Sequence, residues 1–229
     1  MSWFSNFLTS SIGRKMIMSL TGLFLIIFLV IHLIGNLQLL IDDGGEKFNL
    51  YAEFMTTNPL IKTVSYLLYL SILVHAVQGW MLWRKNKAAR GQGYAVKVNR
   101  GAERNHPKVA SAMGWIGTVV FIFIVLHLYQ FWLQMKLDVI GYASYDGHEV
   151  KDLYALVAAT YEDVTFVVLY VVSMIVIAFH LLHGFQSSFQ TLGLNHKKYT
   201  PLIKTVGTIY AILIPLGFAI IPLYMYFLM

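Results

Sequence analysis

Residues 16–40 read MIMSLTGLFLIIFLVIHLIGNLQLL, a run of twenty-five positions with no charged side chain and a single imidazole, His32. A helix of that length exceeds the ~30 Å hydrocarbon thickness of a bilayer. Outward from it, comparable apolar windows recur at 61–83, 109–134, 164–188 and 203–228. With 58% hydrophobic residues, 12% charged residues and a mean hydropathy of +0.64, the chain is too apolar for an ordinary soluble domain. The expectation is an all-α integral membrane protein, one domain over 1–229, with five transmembrane helices in a bundle.

The first window is longer than a signal-peptide core and is followed by no small-residue cleavage pattern, so it is expected to stay as a helix. Trp3, Phe4, Phe7 and Leu8 ahead of it suit a short interfacial segment with rings at headgroup depth. Charges between the windows set the orientation. The N-terminus, the 84–108 loop and the 189–204 connection carry thirteen Lys/Arg and one acid, Glu103; the opposite face carries four Lys and ten Asp/Glu. Excess Lys/Arg marks the cytoplasmic side, so the N-terminus lies inside and the acidic 42–60 and 135–163 loops face out. Because the basic residues flank membrane spans, topology and lipid headgroups explain the pI near 9.4, and nucleic acid is not an expected partner.

His32, His75, His127 and His180 each stand in a different apolar window, and none of those windows holds a carboxylate. An imidazole in hydrocarbon is costly unless something claims its ring nitrogens. Depth follows from counting at ~1.5 Å per residue from the basic inner ends. His32 lies seventeen residues past Lys15 and His127 nineteen past Lys108, while His75 precedes Arg84 by nine and His180 precedes Gln190 by ten. Two outer and two inner imidazoles result. The layout suits two stacked bis-histidine haems b, His32 with His127 and His75 with His180, roughly a dozen Å apart along the membrane normal. With no cysteine in the chain, iron–sulfur ligation, a thiolate-bound haem and covalent haem attachment are excluded within it.

A weak internal repeat accompanies the histidines. Gly22 and Gly117 each precede an outer histidine by ten residues, and Gly79 and Gly184 each follow an inner one by four. A missing Cβ at those positions would let a porphyrin lie against backbone, or would simply permit close helix packing. His183 is an alternative ligand in the fourth window or a contact for a haem propionate. His106 reads as a loop and cap residue before Pro107, and His148 and His196 as solvated loop residues. A proton-relay transporter would ordinarily bring intramembrane acids and broken helices, and a histidine-box oxygenase would gather its histidines at one site.

Several fragments, in this order and spacing, resemble a known family: Ser19-Leu20-Thr21-Gly22 and His32-Leu33-Ile34-Gly35-Asn36 in the first window, His75 shortly before Trp83-Arg84-Lys85, Trp115-Ile116-Gly117 with His127, and His180-x3-Gly184 with Leu192-Gly193. The family is the cytochrome b membrane anchor of succinate:quinone oxidoreductases, of the single-subunit, di-haem type in bacterial succinate dehydrogenases and fumarate reductases. The likeness covers nearly the whole chain. It implies the same ligand pairs, a quinone site near the outer haem, and two cytoplasmic partners, a flavoprotein carrying FAD and an iron–sulfur protein. It implies a bacterial cytoplasmic (inner) membrane location, with succinate chemistry left to the partners. Gly13-Arg14-Lys15 and the 84–108 loop become candidate docking surface, and Glu53 the candidate for quinone protonation. Ser111, Met113 and Ile116 depart from the arginine, glutamine and aromatic–hydroxyl–glycine pattern of some members, so propionate contacts do not carry over there. Ala178 stands where some fumarate reductase anchors have a proton-carrying glutamate. Without that route, outward electron flow assisted by an inside-negative potential is expected, which favours succinate oxidation by a low-potential quinone such as menaquinone. Running as a fumarate reductase, or serving as the di-haem anchor of a hydrogenase or formate dehydrogenase, are the alternatives.

Overall fold

The computed structural model describes residues 3–89 and 107–229, and the chain is a helical bundle with five helices long and apolar enough to cross a membrane. His106 and most of the basic 84–108 loop lie outside the described residues. A short α1 (Trp3–Thr9) leads into α2 (Ser11–Asn36), whose N-cap Ser10 accepts a hydrogen bond from Gly13 N at 3.0 Å. A side chain at Gly13 would strike the Phe7 carbonyl, so this glycine permits the fold-back of α1 on α2. A 3-10 turn, Leu37–Leu40, extends the first span.

The outer segments differ from the expected loops. Residues 46–57 form helix α3 (Glu46–Thr57), entered through Gly44 and Gly45 at φ 65° and 84°, with Asp43 accepting from Gly45 N. Residues 142–151 form a hairpin, β1 (Tyr142–Tyr145) with β2 (His148–Lys151), in antiparallel register with Tyr145 opposite His148. Its two-residue turn, Asp146-Gly147, takes φ 51° and 82°, as a tight primed turn requires. The second span, α4 (Pro59–Ala89), starts with proline at the first helical position, where its missing N–H costs nothing. Asn58 Oδ1 accepts from Leu60 N and Ile61 N there, at 3.0 and 3.3 Å. The third span is α5 (Pro107–His127), continued by a π-helical segment Leu128–Leu133 and a last turn, α6 (Gln134–Lys136). After the hairpin come α7 (Leu153–Tyr161), α8 (Val164–Thr191) and α9 (Thr200–Leu228). Asp152 and Asp163 cap α7 and α8 with their side chains.

Asn49 ties these outer pieces together. It is 1% exposed, donates to Tyr145 OH and Asp152 Oδ1 at 3.0 and 2.9 Å, and accepts from Tyr154 N at 2.9 Å. Each of its polar atoms is thereby satisfied inside the cap. Beneath the cap, Leu33, Leu39, Phe48, Phe131, Tyr161 and Tyr170 belong to the main apolar core.

Helices α2, α4, α5 and α8 pack in that cyclic order, so α2 faces α5 and α4 faces α8 across the middle. The fifth span, α9, lies along α8 and carries Pro215 and Pro222, both buried. Tyr210 OH on α9 donates to the Ile26 carbonyl of α2 at 2.5 Å. The ring of four is loosely filled. Among its described residues α4 buries none, and α2 buries only Gly13, Ser19, Leu33 and Gly35. The space they leave is the site.

Candidate functional site

The four span histidines come together as two pairs, each across a diagonal of the ring. His32 of α2 faces His127 of α5, with ring centres 5.8 Å apart and planes at 80°. His75 of α4 faces His180 of α8 at 6.2 Å and 69°. All four line one partly open cavity of about 1650 Å³, as do His183, Gly22, Gly79, Gly117 and Gly184. A pocket for a single small ligand spans ~300–1,000 Å³, so this space suits more than one. The lining is mainly aliphatic and aromatic.

Two independent rulers give the vertical spacing of the pairs. A Cβ on Gly22 would sit 3.1 Å from His75 Cε1, and one on Gly117 would sit 3.9 Å from His180 Cε1. Gly22 and Gly117 each precede an outer histidine by ten residues, or ~15 Å of helix. The internal repeat therefore has a spatial counterpart, with the glycine of each outer-histidine helix placed against an inner imidazole. Gly79 and Gly184 do not share that role. A Cβ on Gly79 would meet the Met18 thioether methyl at 3.1 Å, whereas one on Gly184 would meet nothing within 4 Å.

The donor set can be tested against a haem. Two imidazoles binding one metal ion at ~2.0 Å hold their ring centres about 6 Å apart, which both pairs match. A bare ion in a structural site needs about four donors, and among the described residues no cluster of three or more His, Cys, Asp or Glu exists. A metal carried in a macrocycle asks the protein for two axial ligands only. His180 Nδ1 is buried with no hydrogen-bond partner among the described residues. The other rings are touched by polar groups: His75 Nδ1 by Thr21 Oγ1 at 3.2 Å, His127 Nδ1 by Tyr170 OH at 3.4 Å, and His32 Nε2 by Asn36 Nδ2 at 3.4 Å. The two 3.4 Å contacts are long for hydrogen bonds and hold their nitrogens less firmly than the Thr21 contact holds His75. The residues present fit two haems b.

His183 also lines the cavity, but the ring opposite His75 is that of His180. At the outer end, Glu53 sits on α3 rather than in a loop. It does not line the cavity and meets His148 Nε2 at 2.8 Å, so the exposed His148 has a hydrogen-bond partner besides solvent. His196 is exposed, its Nδ1 accepting from Lys198 N at 3.2 Å.

Sequence reasoning missed several aromatic groups that line the cavity toward the outer cap. The Tyr51 ring is pressed against Gly35 where no Cβ would fit. Trp132 Nε1 donates to Tyr69 OH at 2.8 Å, joining the π-helical segment to α4. Tyr170 OH donates to Gln130 Oε1 at 2.7 Å. The only available signal was a density of aromatic and amide residues near the second outer histidine.

Fold and site together define a multi-pass, all-α membrane protein with two tiers of paired histidines inside a ring of four helices. Compared with protein-family models, curated proteins and solved structures, the chain matches none.

Proposed function

We propose that this chain is the cytochrome b membrane anchor and electron-transfer subunit of a bacterial succinate:quinone oxidoreductase, working toward succinate oxidation by menaquinone. One observation carries the reading: two imidazole pairs, each reaching across a diagonal of the bundle, at two levels of a single apolar cavity. His32 and His127 would hold one haem b, and His75 and His180 a second. Haem b bound with two imidazoles supplies one-electron chemistry with no open iron position, which suits relay rather than oxygen activation.

The chain's own residues do the rest. Gly22 removes a side chain that would crowd His75, Gly117 lets its helix lie against His180, and the lining beside the ligands is mainly apolar. On the outer face, Glu53 and His148 stand at hydrogen-bond distance, with side chains 33% and 60% exposed. We assign proton exchange with quinone to Glu53 on that basis. The succinate chemistry and the clusters belong to an FAD-bearing flavoprotein and an iron–sulfur protein docked on the inner face near Arg14, Lys15, Arg84 and Lys85.

Detergent extraction of the complex tests this. Two protohaems per chain, co-purification with a flavoprotein and an iron–sulfur protein, and succinate:quinone activity are expected. A chain carrying no haem overturns the reading, and a hydrogenase or formate dehydrogenase partner reassigns the complex.

A further inference from the structure

Each histidine pair has one imidazole whose Nδ1 meets a hydroxyl from another helix, and in both cases the hydroxyl's single proton is already committed. Thr21 Oγ1 donates to the Ile17 carbonyl at 2.7 Å, with Met18 O at 3.2 Å, so its contact to His75 Nδ1 at 3.2 Å is one it accepts, and the Met18 carbonyl is a further acceptor for the same ring. Tyr170 OH donates to Gln130 Oε1 at 2.7 Å, so its longer, 3.4 Å contact to His127 Nδ1 is accepted too. A hydroxyl has one proton and two lone pairs. These hydrogen-bond roles assign the proton to Nδ1 in both imidazoles and leave the Nε2 lone pair for the cavity.

The outer arrangement is built for this purpose. Gln130 sits in the π-helical segment that begins immediately after His127, a distortion that recurs at functional sites. Tyr170 is 5% exposed and its ring packs edge-on against Phe123, Phe131 and Tyr161, so its hydroxyl has little freedom to turn elsewhere.

We infer that Thr21 and Tyr170 are positioning residues, one per pair, which fix the tautomer of His75 and of His127 and raise its basicity as a metal ligand. The inference rests on the haem reading above. A more basic axial imidazole stabilises the oxidised metal, so losing the acceptor raises the midpoint potential of that centre alone. The Thr21 contact is the shorter of the two, but the Met18 carbonyl stays beside His75 when Thr21 is lost.

The test is a redox titration followed by visible absorption, on the complex purified with wild-type, Thr21→Val, Thr21→Ser or Tyr170→Phe anchor. Thr21→Val is isosteric and Tyr170→Phe keeps the ring. Wild type should resolve two centres. Thr21→Val should shift one of them upward, Thr21→Ser should restore it, and Tyr170→Phe should shift the other upward. Two haems whose potentials ignore Thr21→Val and Tyr170→Phe overturn the inference, as does a Thr21→Ser shift equal to that of Thr21→Val. A wild-type complex without haem overturns the reading beneath it.

Discussion

The outer and inner histidine pairs occupy the same ring of helices in different surroundings. His32 stacks on Phe28 at 5.1 Å and touches Phe218 at 5.4 Å, while His127 is flanked by Phe123, Phe131 and Tyr170 at 6.0, 5.4 and 6.1 Å. The inner rings of His75 and His180 face each other, with Gly22 and Gly117 beside them. The outer pair is held by packed protein under a hydrogen-bonded cap. The inner pair has fewer aromatic neighbours, and its His75 is held by Thr21 and the Met18 carbonyl. A ligand would therefore find the outer geometry formed in advance and would itself complete the inner one.

The largest expected effect is loss of one centre. Replacing His32 or His127 with Ala should remove the outer haem, and replacing His75 or His180 the inner one, as read by haem content and spectrum; His183→Ala should retain both. If His183→Ala loses a haem while His180→Ala keeps it, the inner pair is misassigned. Next comes Asn49→Ala, which strips three hydrogen bonds from a buried site and should cost about 2–4 kcal/mol of outer-cap stability. Hydrogen exchange should rise in α3 and α7 while α8's inner end stays protected, and a uniform rise would erase the distinction between the halves.

Glu53→Gln should slow quinone turnover about 100-fold with both haems intact, within the range for a positioned proton donor. Unchanged turnover removes Glu53 from the chemistry. A smaller effect comes from the membrane potential, because no Asp or Glu lies within the five windows to carry a compensating proton. Moving a charge between levels ~15 Å apart in a ~30 Å layer crosses about half the field, worth ~1 kcal/mol per 100 mV. Succinate oxidation by a menaquinone analogue in sealed, oriented vesicles should respond when the potential is collapsed, and indifference would rule out charge movement between the tiers.

The smallest concerns pH at the outer hairpin. A hydrogen bond from Lys151, with a second from Tyr142, holds the Asp138 carboxyl below the usual carboxylate range. A depressed native value stabilises the fold above the ordinary carboxylate range and loses that contribution as pH falls through the lowered value. The group is fully exposed, so the effect is slight and screened by salt. Hairpin exchange should become less acid-sensitive in Asp138→Asn, with the inner half unchanged.

The spans were legible because apolar runs longer than a bilayer admit one reading, and the histidines stood out because hydrocarbon makes each imidazole conspicuous. Their depth, counted from the charged ends, sorted them into the same pairs that now face each other. The outer cap was less legible. Tyr145-Asp146-Gly147-His148 carries a hairpin turn in plain view, yet between two long spans it reads as loop. Helix α3 is twelve residues long and buries only Phe48 and Asn49, too little for a clear period. Contacts such as Glu53 with His148, ninety-five residues apart, and Tyr170 with Gln130, set by one π-helical segment, leave no local signature.

The diagonal arrangement also orders the chain's assembly as it enters the membrane. The outer tier needs α2 and α5 and is complete once His127 has been inserted, whereas the inner tier waits for α8 to deliver His180. During synthesis His75 must sit in lipid without its partner while three spans are already in place. Thr21, on the first helix to arrive, is the neighbour that meets it there.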